Sequence, residues 1–283
     1  MNRAESFAVS ACAAIGPWGT GVPGFVRFLQ DWRRMPPIAL PAVPGFIGSG
    51  FNPLVYGGLT ELARVGGLAT PTRCALVVGS GIGDSWTADT TTRGVIDGRR
   101  LEPLLFYQSV PVSILGFAAQ EFGILGPVVT ISSFPDPLAR LLSLADTLLD
   151  GENVEQVVVL VAAPSGSPRQ LAIERAHGLE FQDAASERPG AAFALSLRRA
   201  VRGELALSST LGPQGARAHD GAAAFVHYGA LELDRGSIQG GRDWPLPIET
   251  RNIAHVCVAF ESTRANDARD RRVHHEGHAC RWT

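Results

Sequence analysis

Three short runs of this 283-residue chain are apolar or nearly so: Cys74-Ala-Leu-Val-Val78, Val157 to Ala162, and Ala191 to Leu197, the last broken by Ser196 alone. A strand with one face in water alternates apolar and polar residues, so a continuous run marks a strand covered on both faces. Phe7 to Ala14 reads as a further buried strand, closed by Gly16-Pro17. Segments with helical spacing separate these strands, and helices alternating with fully apolar strands specify a layered α/β fold.

The intervening segments carry recognisable boundaries. Pro23 to Trp32 has helical spacing, Met35 to Pro53 is a Pro- and Gly-rich loop, and Leu54 to Val65 is a helix ended by Gly66-Gly67. Ser109 or a neighbour is placed to cap a helix with Pro111 in its first turn and Gly123 as its stop. Val128 to Ser132 is the next strand. Pro137 to Leu149 follows as a helix, with Leu138, Leu141, Leu142, Ala145 and Leu148 on one face and Gly151 beyond its end. After about Gly203 the signals thin. Glu204 to Ser208, Ala222 to Tyr228 and Ile253 to Phe260 are strand candidates, and the polar stretch from Ser262 onward reads as a disordered tail. The expected organisation is a main domain over 1–203, an extension over 204–261 packed on it, and a tail over 262–283.

Composition narrows the function classes. The net charge of −2 offers no reason to expect a nucleic-acid or anionic-membrane partner. All 25 basic residues are arginine, so no mechanism can draw on a lysine of this chain. No apolar run reaches the roughly 20 residues of a membrane span. The opening residues read as a first strand rather than a signal peptide. Cys12, Cys74, Cys257 and Cys280 include no CxxC pair, which points to a reducing cytoplasm without a disulfide framework.

Isolated motifs say little. The glycine turn Gly79-Ser80-Gly81-Ile82-Gly83 follows a strand, but it is G-x-G-x-G and has no acidic residue on a following strand about twenty positions on, so dinucleotide binding is not expected. His274, His275, His278 and Cys280 crowd a short stretch of tail and make a poor closed zinc site. No G-x-S-x-G elbow occurs. No cofactor and no metal are expected. Ser132-Ser133-Phe134-Pro135-Asp136-Pro137 has the makings of a helix start, with a hydroxyl cap, prolines and an acid near the positive end of the dipole.

The order of the blocks says more. Ala8 to Gly19, Ala75 to Gly83, Leu105 to Pro111 leading through Gly116 to Gly123, Gly126 to Ser133, and Ala139 to Val161 follow one another as in the N-terminal half of a β-ketoacyl synthase. Arg188 to Phe193 adds a sixth block, and the resemblance covers about Ser6 to Arg199. It implies a thiolase-like α-β-α fold, represented by its N-terminal half alone, with additional C-terminal strands. It also places Ser109, Pro111, Val112, Gly116 and Phe134 at a pocket or subunit interface.

The departures from the family carry the functional expectation. The family's nucleophilic cysteine aligns with Pro135, which has neither a thiol nor an N–H to serve an oxyanion hole. Val112 stands where the family tends to carry asparagine, and the half bearing two catalytic histidines and a lysine has no counterpart. The resemblance therefore implies a non-catalytic, chain-length-factor-like partner in polyketide or fatty-acid biosynthesis. Such a protein would pair with an active ketosynthase or an acyl carrier protein as a homo- or heterodimer. Two alternatives stand beside it: an acyltransferase or condensing enzyme using Ser133 or Asp136, and a free-standing acyl-binding module. A lone half is further expected to leave an apolar face open.

Overall fold

The computed structural model describes residues 6–31, 40–100, 103–134, 137–164, 168–176, 190–200, 206–208, 225–227, 250–254, 256–258, 260–262 and 264. Pro135, Asp136, the junction at 203, and the four tail residues His274, His275, His278 and Cys280 lie outside them.

One mixed sheet organises the described residues. Its strands are β1 (Ser6–Gly16), β2 (Gly19–Thr20), β3 (Cys74–Ser80), β4 (Val128–Ser132), β5 (Gln156–Ala163), β6 (Ala191–Arg199), β7 (Ala206–Ser208) and β8 (Phe225–His227). They run in the order β4-β3-β5-β6-β1-β7-β8, with β2 hairpinned onto β1. β4, β3 and β5 are mutually parallel. β6 is antiparallel to both of its neighbours, β5 and β1.

Helices cover both faces, as the continuous apolar strands require. On one face α1 (Val22–Asp31) and α6 (Leu138–Leu149) pack over Val77, Val159 and Phe193. On the other, α2 (Phe51–Arg64) and α5 (Val112–Phe122) pack over Leu76, Leu160 and Ala194. Three further helices lie around this core: α3 (Ser85–Ile96), α4 (Pro103–Ser109) and α7 (Pro168–Ala176).

Strand β1 shows how the faces are kept in register. Phe7 and Cys12 point to the α1/α6 face although they are an odd number of residues apart. A bulge between Val9 and Ala11 absorbs one residue and switches the parity. The extra residue, Ser10, donates its hydroxyl to Ser196 Oγ at 2.7 Å.

Several boundaries differ from the sequence expectations. α2 starts at Phe51 rather than Leu54, because Pro53 falls in the first turn where its missing N–H is no loss. Ser109 caps nothing; it ends α4 and turns its hydroxyl back to the Phe106 carbonyl at 2.7 Å, and Pro111 precedes α5 without a side-chain cap. Likewise α6 begins after Pro137 with no hydroxyl cap, since Ser132 Oγ donates instead to the Gly81 carbonyl at 2.6 Å.

The extra strands expected near 204–208 and 222–228 exist as β7 and β8. The strand expected at Ile253 to Phe260 does not: the described residues of 251–264 are helical. Ile253, Ala254 and Cys257 recur at helical spacing and are fully buried on the α1/α6 face, which the sheet itself has no further strand to fill.

This C-terminal helix bears on the expected open face. It lies with α1 and α6 over the sheet, while α6 turns Arg140, Ser143 and Thr147 outward. Among the described residues the large exposed apolar side chains are elsewhere, most of them around α3, α4 and the start of α5, with Leu125 beyond the end of α5.

Candidate functional site

A small cavity of about 110 Å³ opens where β3 and β4 end. Val78 and Ser80 of β3 and Thr130, Ile131 and Ser132 of β4 form one side. Phe51, Ile82, Gly83 and Pro111 form the rest. The carboxyl ends of parallel strands are where open α/β sheets place their ligands. The volume is well under the roughly 300–1,000 Å³ of a site for a drug-sized ligand.

The glycine turn is shaped by close approach. A Cβ at Gly79 would lie 2.7 Å from Leu141 Cδ1 and 2.9 Å from Pro137 Cβ, so β3 can meet the start of α6 only without a side chain there. Gly83 has φ +62°, a left-handed conformation that favours glycine, and its Cβ would press on Pro111 Cγ at 3.1 Å.

Among the described residues the cavity wall contains no acid, imidazole or thiol. Its two serine hydroxyls serve the backbone: Ser80 Oγ accepts the Gly83 N–H at 2.7 Å, and Ser132 Oγ donates to the Gly81 carbonyl. The nearest buried carboxylate, Asp84, is used to join helix starts. Its Oδ1 accepts the Thr87 N–H at 3.1 Å, capping α3. Its Oδ2 accepts from Thr87 Oγ1 at 2.6 Å, Ser49 Oγ at 2.7 Å and Asn52 Nδ2 at 3.5 Å. Among the described residues no three His, Cys, Asp or Glu side chains are grouped to hold a metal ion.

Of the residues anticipated at a pocket or interface, Pro111 lines the cavity, beside the glycine turn and Ser132. Ser109 is half-buried at the end of α4, and Phe134 is half-buried beyond β4; neither lines the cavity. Gly116 is on the exposed side of α5, with nothing within 4 Å of an added Cβ. Val112 is exposed. Ser133 is half-buried and its N–H donates to the Ser80 carbonyl at 3.0 Å, bridging the ends of β4 and β3.

Sequence reasoning missed the Asp84 hub, although an Asp followed three residues later by a polar residue is a helix-start signal. It also missed the apolar surface beside the cavity. Phe106 is 68% exposed and Tyr107 51%, with Ile47, Trp86, Val110 and Val112 also outward. Gln108, fully buried between them, fastens the loop to α4: its Nε2 donates to the Gly45 carbonyl at 2.6 Å and its Oε1 accepts the Ile47 N–H at 2.9 Å. Trp86 lies over Gly48 next to Leu105, so loop, α3 and α4 present one surface.

No family model matches the sequence, and no curated protein matches it. Solved structures do. A ketosynthase in complex with its chain length factor from Xenorhabdus doucetiae matches over 69% of this chain and 79% of its own, with TM-score 0.54 and 15% identity. The ishigamide ketosynthase/chain length factor matches over 69% and 62%, with TM-score 0.54 and 16% identity. A β-ketoacyl synthase from Burkholderia phymatum STM815 matches over 69% and 59%, with TM-score 0.55 and 13% identity. The chain thus spans less than two thirds of the second and third of these. At such identities the likeness is one of fold, and the fold of this chain is the thiolase-like fold of the ketosynthases.

Proposed function

We propose that the chain is a non-catalytic, chain-length-factor-like partner of a ketosynthase in polyketide or fatty-acid biosynthesis, acting in the cytoplasm. The observation that carries this reading is the composition of the cavity: the fold's strand ends surround it, yet among the described residues its wall offers no thiol, imidazole or carboxylate, and its two serine hydroxyls are bonded to backbone groups. Pro135 adds to this from the sequence, since proline supplies neither a thiol nor an N–H. A condensing enzyme needs both an activated nucleophile and donors aimed at the developing oxyanion.

The partner's seat is the exposed apolar surface of α3, α4 and the start of α5, with the cavity mouth at its rim. Large contiguous apolar patches on a protein surface mark interaction sites. Of the residues anticipated for an interface, Val112 is exposed in this surface, and Ser109 and Gly116 belong to the same two helices, α4 and α5. Chain length factors accompany ketosynthases in the matched complexes, which supports a ketosynthase as the partner here.

The test is native mass spectrometry of the tagged chain purified from its own host. A one-to-one complex with a cysteine-bearing ketosynthase is expected. An acyl adduct trapped on Ser133 or Asp136 by carrier-protein thioesters would overturn the non-catalytic reading and leave an acyltransferase in its place.

A further inference from the structure

Cys12 and Cys257 are far apart in sequence but share one site. Cys12 is in β1, on the face that carries α1 and α6; Cys257 is in the C-terminal helix that lies on that face. Cys12 Sγ is 3.7 Å from the Cys257 carbonyl oxygen and 3.5 Å from Glu261 Oε1. Cys257 Sγ is 4.0 Å from the carbonyls of Ala13 and of Ala194, on β1 and the adjoining β6. The helix therefore sits with its thiol against the same turn of sheet from which the Cys12 thiol rises. Both residues are buried, Cys12 to 4% and Cys257 to 0% exposure.

We propose that Cys12 and Cys257 are an oxidisable pair, which hydrogen peroxide joins into a disulfide fastening the C-terminal helix to β1. The closed state protects them: hydrogen bonding with Cys257, burial and the nearby Glu261 all push the Cys12 thiol far above its ordinary range, and a thiol held neutral is a poor nucleophile. Reaction proceeds through local opening of the helix, an event that single elements undergo below global unfolding.

The steps balance. In the open state one thiol loses its proton to water and the thiolate attacks a peroxide oxygen; the O–O bond breaks, leaving a sulfenic acid and one water. When the helix closes again, the second sulfur attacks the sulfenic sulfur, the S–S bond forms, the S–O bond breaks and a second water leaves. Two thiols are oxidised by two electrons in all, and the peroxide is reduced to water. Cys74 is buried on the opposite face, in the cluster with α2 and α5, and is not part of this pair.

The experiment treats the intact chain with hydrogen peroxide, then measures its mass without reductant and maps its peptides. A mass lower by about 2 Da, a Cys12–Cys257 linked peptide and reversal by dithiothreitol are expected. The linked form should melt about 5 °C or more above the reduced form, because the bond closes a long loop of chain. Cys12→Ala and Cys257→Ala should each abolish the link and leave Cys74 unmodified. A gain of about 32 Da on either cysteine without a link overturns the proposal. So does a link through Cys74 or Cys280, or no change of mass at temperatures where the helix exchanges its amide protons. The mapping of the unaltered chain decides the matter even if a variant folds poorly.

Discussion

The thiol of Cys74 is held neutral by its place in β3. Burial raises it from 9.0 to about 11, against a smaller opposing pull from the Val158 backbone. The proton is thus retained in the folded state where the unfolded chain has released it. The stability this supplies is complete below pH 9.0 and is lost as pH rises toward about 11, amounting to about 2–3 kcal/mol. Urea titrations across that range should show a steeper loss for the native chain than for Cys74→Ala; parallel curves would refute the assignment. The cavity hydroxyls make a second residue-scale prediction. Ser80→Ala removes the acceptor of a buried N–H and should cost about 1–2 kcal/mol, whereas Ser132→Ala, at a more exposed carbonyl with other ways to be satisfied, should cost less than about 1 kcal/mol. Thermal melts of the two variants test the order. The reverse order would mean that Ser132 has a role beyond tying β4 to the glycine turn.

Between elements, the polar contacts that matter are those that cross the sheet. Gln156, at the start of β5, donates Nε2 to the Gly67 carbonyl at 2.7 Å and to Ser196 Oγ at 2.5 Å, and its Oε1 accepts the Thr70 N–H at 3.1 Å. It joins the loop after α2 to β6, and through Ser196 to the bulge at Ser10. Gln156→Leu strands several buried groups at once and should cost about 2–4 kcal/mol, read by chemical denaturation, with faster amide exchange at Gly67 to Thr70. An unchanged midpoint would show that water replaces the amide.

None of this network was legible in the sequence, because its members are scattered across four segments and each alone is an ordinary polar residue. The strands were legible for the opposite reason: burial on both faces leaves β3, β5 and β6 apolar along most of their length. Helix α6 was legible from its apolar spacing. Helix α3 was not, since it buries only Ser85 and Thr87 and runs through Thr90, Thr91 and Thr92, whose hydroxyls bond back to carbonyls one turn earlier. The Ile253 to Phe260 run misled because β-branched and aromatic residues crowd a helix whose face is set by the sheet beneath it. At the site, the resemblance put Pro111 at a pocket or interface, but its meeting with the glycine turn and Ser132 was not legible, because these residues come from three separate segments. The commitment of the serine hydroxyls to backbone groups needed the coordinates.

For the whole molecule, the open question of a half-scaffold is where its apolar surface goes. Among the described residues helices cover both faces of the sheet, and the outward side of α6 is polar, so the proposed partner would not sit on a sheet face. The proposed seat is the surface of Ile47, Trp86, Phe106, Tyr107, Val110 and Val112. β4, the terminal strand of the described sheet on the same flank, is Val-Val-Thr-Ile-Ser, with none of the charges or prolines that commonly guard an edge. Phe106 is outward and its ring contributes nothing to the buried clusters, so Phe106→Arg should leave the melting temperature within about 1–2 °C of the native value. Aromatic anchors at the centre of an interface are worth about 2 kcal/mol or more, so the same change should weaken a ketosynthase complex at least about 30-fold. A matching charge on the polar face of α6, Thr147→Arg, should leave the complex intact. Titration of the purified partners by calorimetry separates these cases: loss of affinity with both variants would indicate a general charge effect, and loss with Thr147→Arg alone would move the partner to the α6 layer, where a second half of the fold would lie.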